Sequence, residues 1–183
     1  MMNSRRQWLM LGGVAAAAAG AGAGWKLWRQ QQALHIEAAD AAALAENGGL
    51  WSLSFPQPDG GELSMAALRG KPLVLNFWAT WCPPCVKEMP QFDRFSRDFA
   101  SQGFQVVGLA IDGPTPVRQF LAKLPVSYAI GLAGLNGTEL GRSLGNARGG
   151  LPFTVVFDAQ GRIRHRKLGE TDYEELAGWA RGL

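Results

Sequence analysis

The alternation of apolar and polar residues is clearest from residue 50 onward. Residues 50–55 alternate, with Leu50, Ser52 and Ser54 on one side and Trp51, Leu53 and Phe55 on the other. Turn chemistry at Pro58-Asp59-Gly60-Gly61 separates this stretch from residues 62–65, so the pattern predicts a small opening hairpin that Leu68-Arg69-Gly70-Lys71 ends. Residues 73–78 form a nearly continuous apolar run, as expected of a central strand covered on both faces. That run leads through Ala79-Thr80-Trp81 to Cys82. Pro84 then falls where a helix's first turn tolerates proline, and Met89, Phe92, Phe95 and Phe99 give residues 86–100 helical spacing. Pro90 lies inside that helix and is expected to kink it.

Residues 103–111 read as a second apolar strand, residues 117–124 as a short amphipathic helix, and residues 126–130 as an edge strand. The glycine-rich stretch 131–150 holds one helical candidate at residues 139–144. A strand at 153–157, the turn Asp158-Ala159-Gln160-Gly161, a strand at 162–168 and a helix at 172–181 close the chain. Strand-helix-strand followed by a hairpin and a helix predicts an α/β fold.

Composition narrows the function. The 183 residues suffice for one domain with an N-terminal appendage, and 47% hydrophobic content excludes wholesale disorder. The net charge is only +3, and the basic residues are scattered rather than interleaved with aromatics, which argues against nucleic-acid binding. Both cysteines sit in one CxxC, and His35 and His165 are isolated from them and from each other. Neither a disulfide framework nor a four-ligand zinc site can be built from that set, so no metal is expected.

Residues 1–30 have the layout of an export signal: Ser4-Arg5-Arg6, an apolar stretch from Trp8 to about Ala23, and small residues suited to a signal peptidase. Ser4-Arg5-Arg6-Gln7-Trp8-Leu9 is compatible with twin-arginine or general secretory export. Residues 9–28 are also long enough to remain as a membrane anchor, with Trp25 and Trp28 at the interface. Residues 31–49 then form a tether and residues 50–183 the folded domain. The expected location is the periplasm or the outer face of the cytoplasmic membrane.

The chemistry lies in Trp81-Cys82-Pro83-Pro84-Cys85. Thiol-disulfide exchange needs an attacking thiolate, a second thiol to resolve the mixed disulfide, and access for the partner. At a helix start, Cys82 faces free backbone N–H groups and the positive end of the helix dipole, which favours its thiolate. Cys85, one turn further in, is placed to resolve. No cofactor beyond this pair is required.

Residues 76–90, Asn76 to Pro90 around the two cysteines, resemble the active-site segment of the TlpA/ResA-like thioredoxin-fold oxidoreductases. The resemblance extends over most of residues 50–183, including Gly70-Lys71-Pro72, Gly150-Leu151-Pro152-Phe153-Thr154 and Phe157-Asp158-Ala159-Gln160-Gly161. It implies a thioredoxin-like fold, a central mixed β-sheet flanked by helices, with an added N-terminal hairpin. It also implies that the Leu151-Pro152 bond is cis and lies against the disulfide, forming with Trp81, Pro83 and Pro84 a groove for a partner's backbone.

Where thioredoxins carry a buried Asp beneath the cysteines this chain has Asn76, which cannot take up a proton. Glu88 matches a glutamate that the family places near its cysteines; a carboxylate there raises the thiol pKa values and can relay the proton of Cys85. The alternative is a solvated helix carboxylate beside Lys87. Trp78 and Trp81 have an alternative as packing residues, with Trp81 also placed to shield the thiol.

The resemblance implies reduction of protein disulfides outside the cytoplasm, with electrons from a membrane thiol carrier and clients such as apocytochrome c or copper-site cysteines. A disulfide-donating oxidase and a Cu(I) chaperone are the alternatives. A peroxidase is disfavoured because Thr80 stands too close to Cys82 for a Thr-x-x-Cys turn.

Overall fold

The computed structural model describes residues 49–183. The export signal or anchor at 1–30, including the possible span at 9–28, and the tether up to residue 48 lie outside the described residues. Strands β1 (Ser54–Pro56) and β2 (Glu62–Ser64) form an antiparallel hairpin. A five-stranded sheet follows, built from β3 (Leu73–Trp78), β4 (Gln105–Ala110), β5 (Ala129–Leu132), β6 (Phe153–Phe157) and β7 (Ile163–Leu168), in the order β5-β4-β3-β6-β7. β3, β4 and β5 run parallel, whereas β6 and β7 are antiparallel to their neighbours. Helices α1 (Pro83–Phe99), α2 (Pro114–Leu121), α3 (Asn136–Ser143) and α4 (Tyr173–Arg181) connect and flank the sheet. The expected mixed sheet with an added hairpin is the observed fold.

All six residues of β3 are buried, because helices cover one face of the sheet and the hairpin and α3 the other. On the first face Val74 and Trp78 meet Met89, Phe92 and Phe95 of α1 and Leu176 of α4. On the second, Leu73, Leu75 and Phe77 meet Phe55, Leu63 and Leu144. Each fully buried Phe or Leu is worth about 1.5–3 kcal/mol, so the apolar run that predicted β3 also fixes its place at the centre.

Several boundaries differ from the sequence reading, each for a local physical reason. Residues 50–52 are a 3-10 turn rather than strand: Leu53 N–H donates to the Leu50 carbonyl at 3.0 Å, and Leu50 and the adjacent Trp51 are both buried. Trp51 packs edge-on against Phe157, with ring centroids 5.5 Å apart. α2 begins at Pro114, three residues earlier than the periodicity suggested, since proline is pre-shaped for a first turn. α3 likewise starts at Asn136.

The edge strand is 129–132 instead of 126–130, because Asp93 of α1 captures Ser127. Its Oδ1 accepts from the Ser127 N–H at 2.6 Å and from the hydroxyl at 2.7 Å, holding that segment in a turn. Pro90 lies within α1 without ending it, although its missing N–H leaves the Val86 carbonyl without its helical donor.

Candidate active site

Cys82 is the residue from which α1 springs, with extended backbone (φ −100°, ψ 100°), and Pro83 and Pro84 occupy the first two helical positions. Its carbonyl accepts from Val86 N–H at 3.1 Å, which closes the first turn; Pro83 and Pro84 carry no N–H, so the helix start acts on Cys82 through the positive end of its dipole and the Cys85 N–H. Cys82 and Cys85 are joined, with the sulfurs 2.00 Å apart. In this oxidised form both cysteines are buried, Cys82 at 4% exposure and Cys85 at 0%. Trp78 and Trp81, for both of which packing was an alternative, divide sharply: Trp78 is buried against Phe120, while Trp81 stands 67% exposed next to Cys82 in the chain and has no part in the core.

The loop that delivers the cysteines is held from below by Asp112, whose Oδ2 accepts from the Thr80 N–H at 2.5 Å. Sequence reasoning did not single out Asp112. Its signal was position alone: it follows β4, and β4 runs parallel to β3, so both strands end on the same edge of the sheet.

The Leu151-Pro152 bond is cis. Leu151 packs against both apolar clusters, one of which contains Cys82 and Cys85. The buried Pro152 offers its carbonyl to the N–H of Gly169 at 2.8 Å.

Glu88 is not a solvated carboxylate. Only 1% of it is exposed, and both oxygens are engaged: Asn76 Nδ2 donates to Oε1 at 2.7 Å, and the Thr171 N–H donates to Oε2 at 2.8 Å. Asn76 also donates to Thr154 Oγ1 at 3.2 Å from across the sheet, where the two residues are register partners. Lys87, the neighbour that suggested solvation, points outward and pairs with Glu170 at 2.6 Å. Burial pushes the Glu88 carboxyl up to about 7; the Thr171 N–H and the Asn76 amide oppose that rise, Glu170 adds to it, and Lys167 lowers it. Three residues separate Glu88 from Cys85 on one helix, which puts both on the same face.

Thr154 and Thr171 are the members of this site that the sequence did not reveal. Their contribution comes from segments far from the CxxC in sequence. Among the described residues no cluster of three or more His, Cys, Asp or Glu is arranged to hold a metal ion. His165 stacks on Trp179 at 5.2 Å, its pKa lowered by burial and by Arg164, and takes no part in the site; His35 lies outside the described residues.

A redox-active cysteine pair at a helix start, a buried carboxylate on the same helix face and a cis-proline bond are features suited to thiol-disulfide exchange, and the chain is similar to proteins with that activity. The Redoxin family matches residues 41–179. Thiol-disulfide oxidoreductase ResA of Bacillus cereus is 28% identical over 123 residues, covering 66% of this chain and 68% of that protein. Thiol:disulfide interchange protein DsbE of Vibrio cholerae is 39% identical over 130 residues, covering 70% of this chain and 60% of that one. The crystal structure of a thiol:disulfide interchange protein of the thioredoxin family from Chlorobium tepidum superposes with a TM-score of 0.63 at 30% identity, covering 72% of this chain and 92% of that chain. By its fold, its cysteine pair and this kinship, the chain belongs to the Redoxin family and is a TlpA/ResA-like thiol-disulfide oxidoreductase.

Proposed function

We propose that the protein works outside the cytoplasm as a reductant of client-protein disulfides, such as those of apocytochrome c or of copper-site cysteines, and is itself re-reduced by a membrane thiol carrier. Residues 1–30 serve as its export signal, or residues 9–28 as its membrane anchor, and no cofactor is needed beyond the Cys82–Cys85 pair. The observation that carries this reading is the buried Glu88 one helical turn from Cys85. A strong oxidant of this fold owes its power to a stabilised reduced form. A carboxylate beside the sulfurs does the reverse, since it disfavours a second nearby anion. Residues 113–150 also hold two eight-residue helices and a short edge strand in place of the large helical insertion of disulfide-donating oxidases.

The reaction runs in two exchanges. The Cys82 thiolate attacks one sulfur of the client disulfide, forming a mixed disulfide and releasing the other client sulfur, which takes up a proton. Cys85 then gives its proton to the Glu88 carboxylate and attacks the Cys82 sulfur. The second client thiol leaves, and the protein ends as the disulfide seen here, having passed two electrons to the client. Trp81, Pro83, Pro84, Leu151 and Pro152 line the groove in which the client backbone lies.

The experiment is the equilibrium reduction potential of the Cys82/Cys85 pair against glutathione. A reductant lies near the thioredoxin value of about −270 mV, and a value near about −120 mV sinks the reductase reading in favour of an oxidase.

A further inference from the structure

Three consecutive residues between β7 and α4 each hold a different part of the site. The Gly169 N–H donates to the Pro152 carbonyl at 2.8 Å, the Glu170 carboxylate pairs with Lys87 at 2.6 Å, and the Thr171 N–H donates to Glu88 Oε2 at 2.8 Å. Gly169 makes this path possible with φ at +107°, a conformation that side-chain-bearing residues rarely adopt. Thr171 is fully buried, and its hydroxyl has no hydrogen-bond partner among the described residues, so the packing here places its backbone amide rather than its side chain.

We propose that residues 169–171 are a positioning strap of the exchange centre: the Thr171 amide fixes the Glu88 carboxylate, and Gly169 ties that carboxylate to the Pro152 backbone of the client groove. The strap rests on the reading of Glu88 as the proton acceptor for Cys85, and it adds the group that sets when Glu88 can accept. An amide N–H aimed at a carboxylate favours the ionised form. With the strap in place Glu88 is partly ionised near neutral pH; with the strap displaced it keeps its proton and cannot take another. A client backbone that shifts the Pro152 carbonyl therefore acts on Glu88 through two residues of chain.

The groups facing Glu88 come from every element around it. Asn76 of β3 and, bonded to it, Thr154 of β6 lie on one side, Lys167 of β7 and Glu170 of the strap act on its charge, and Tyr128, just before β5, feels that charge in turn. Lys167 is itself paired with Glu175 of α4. Among the described residues only the Thr171 amide and the Asn76 amide bond to the Glu88 carboxylate directly.

The test has a wild-type arm and a variant arm. In the full oxidised chain, the Thr171 amide proton resonance should move downfield as Glu88 ionises, with the midpoint of the Glu88 carboxyl carbon; a Thr171 amide that ignores that titration overturns the strap. The variant is Gly169→Ala, because a Cβ there meets no atom within 4 Å and so perturbs the backbone alone. Its Glu88 midpoint should rise by about one pH unit, and the pH profile of kcat/KM on a disulfide substrate should rise with it. An unchanged Glu88 midpoint in the folded variant also overturns the strap. A midpoint that rises while the kcat/KM profile stays fixed upholds the strap and removes Glu88 as the proton acceptor. Thr171→Pro, which deletes the N–H, should reproduce the shift.

Discussion

Asn76 of β3 donates its side-chain amide to Glu88 of α1 at 2.7 Å, and this bond joins the central strand to the helix that carries both cysteines. An acid at position 76 would place two carboxylates face to face in the interior. The amide instead leaves a single titrating group beneath the sulfurs and supplies it with a donor. Charge beneath the pair is therefore set by one residue, whose proton comes and goes near neutral pH.

The roles of the two cysteines are separable by trapping. Cys82→Ser should abolish attack on a disulfide substrate, and Cys85→Ser should accumulate a mixed disulfide through Cys82, detectable by mass. In the reduced wild type, alkylation should label Cys82 first, since Cys82 is the residue at the helix start. Faster labelling of Cys85 at neutral pH would reverse the assignment.

Glu88 also makes stability depend on pH in a defined direction. Its folded pKa is raised from 4.5 to about 7, so the native state holds a proton that the unfolded state has lost between those values. The stabilising contribution is complete below pH 4.5 and disappears as pH rises through about 7. At about 1.4 kcal/mol per pKa unit the loss totals about 3 kcal/mol. Urea unfolding of the oxidised wild type across this window should show the decline, and Glu88→Gln should flatten it. In the same variant the thiol pKa values should fall and the resolving step should slow.

Asn76→Asp is expected to be worse than its size suggests. It removes the donor to Glu88 and sets a like charge against it, so the two acids must share a proton. The cost should be about 1–3 kcal/mol at pH 8 and smaller at pH 5, where the pair holds that proton. Equal destabilisation at both pH values in chemical denaturation would show that the defect is steric.

Trp81→Ala separates binding from folding. The side chain is two-thirds exposed and outside both apolar clusters, so stability should change by less than about 0.5 kcal/mol. If the ring contacts the client, kcat/KM on a protein disulfide should fall about tenfold while reactivity toward a small disulfide holds. A parallel fall with both substrates would assign Trp81 to the thiol environment instead.

Export is tested independently of the chemistry. Replacing Arg5 and Arg6 with Lys should block translocation on the twin-arginine route and leave general secretion intact. Recovery of a mature form that begins near residue 22 or 24 and is free of membrane would exclude retention of residues 9–28 as an anchor.

By itself the sequence determined what is contiguous. The apolar run 73–78, the cysteines that follow it and the amphipathic spacing after Pro84 are read within one stretch of chain, and strand, active-site turn and helix stand there in the structure. Secondary periodicity and turn chemistry act over a few residues, so α/β character and the place of Cys82 were legible, while the mixed sheet came with the resemblance of residues 76–90. Tertiary structure alone decided what depends on distant partners. The edge strand moved because Asp93 reaches Ser127, 34 positions away. Between the two readings of Glu88, a carboxylate near the cysteines or a solvated one, burial was decided by donors that come from 12 and 83 positions away, and Asp112 entered the site from 32 positions beyond Thr80. A carboxylate's pKa is set by desolvation and by the donors that reach it, and both exist only once β3, α1 and the segment before α4 have closed around it.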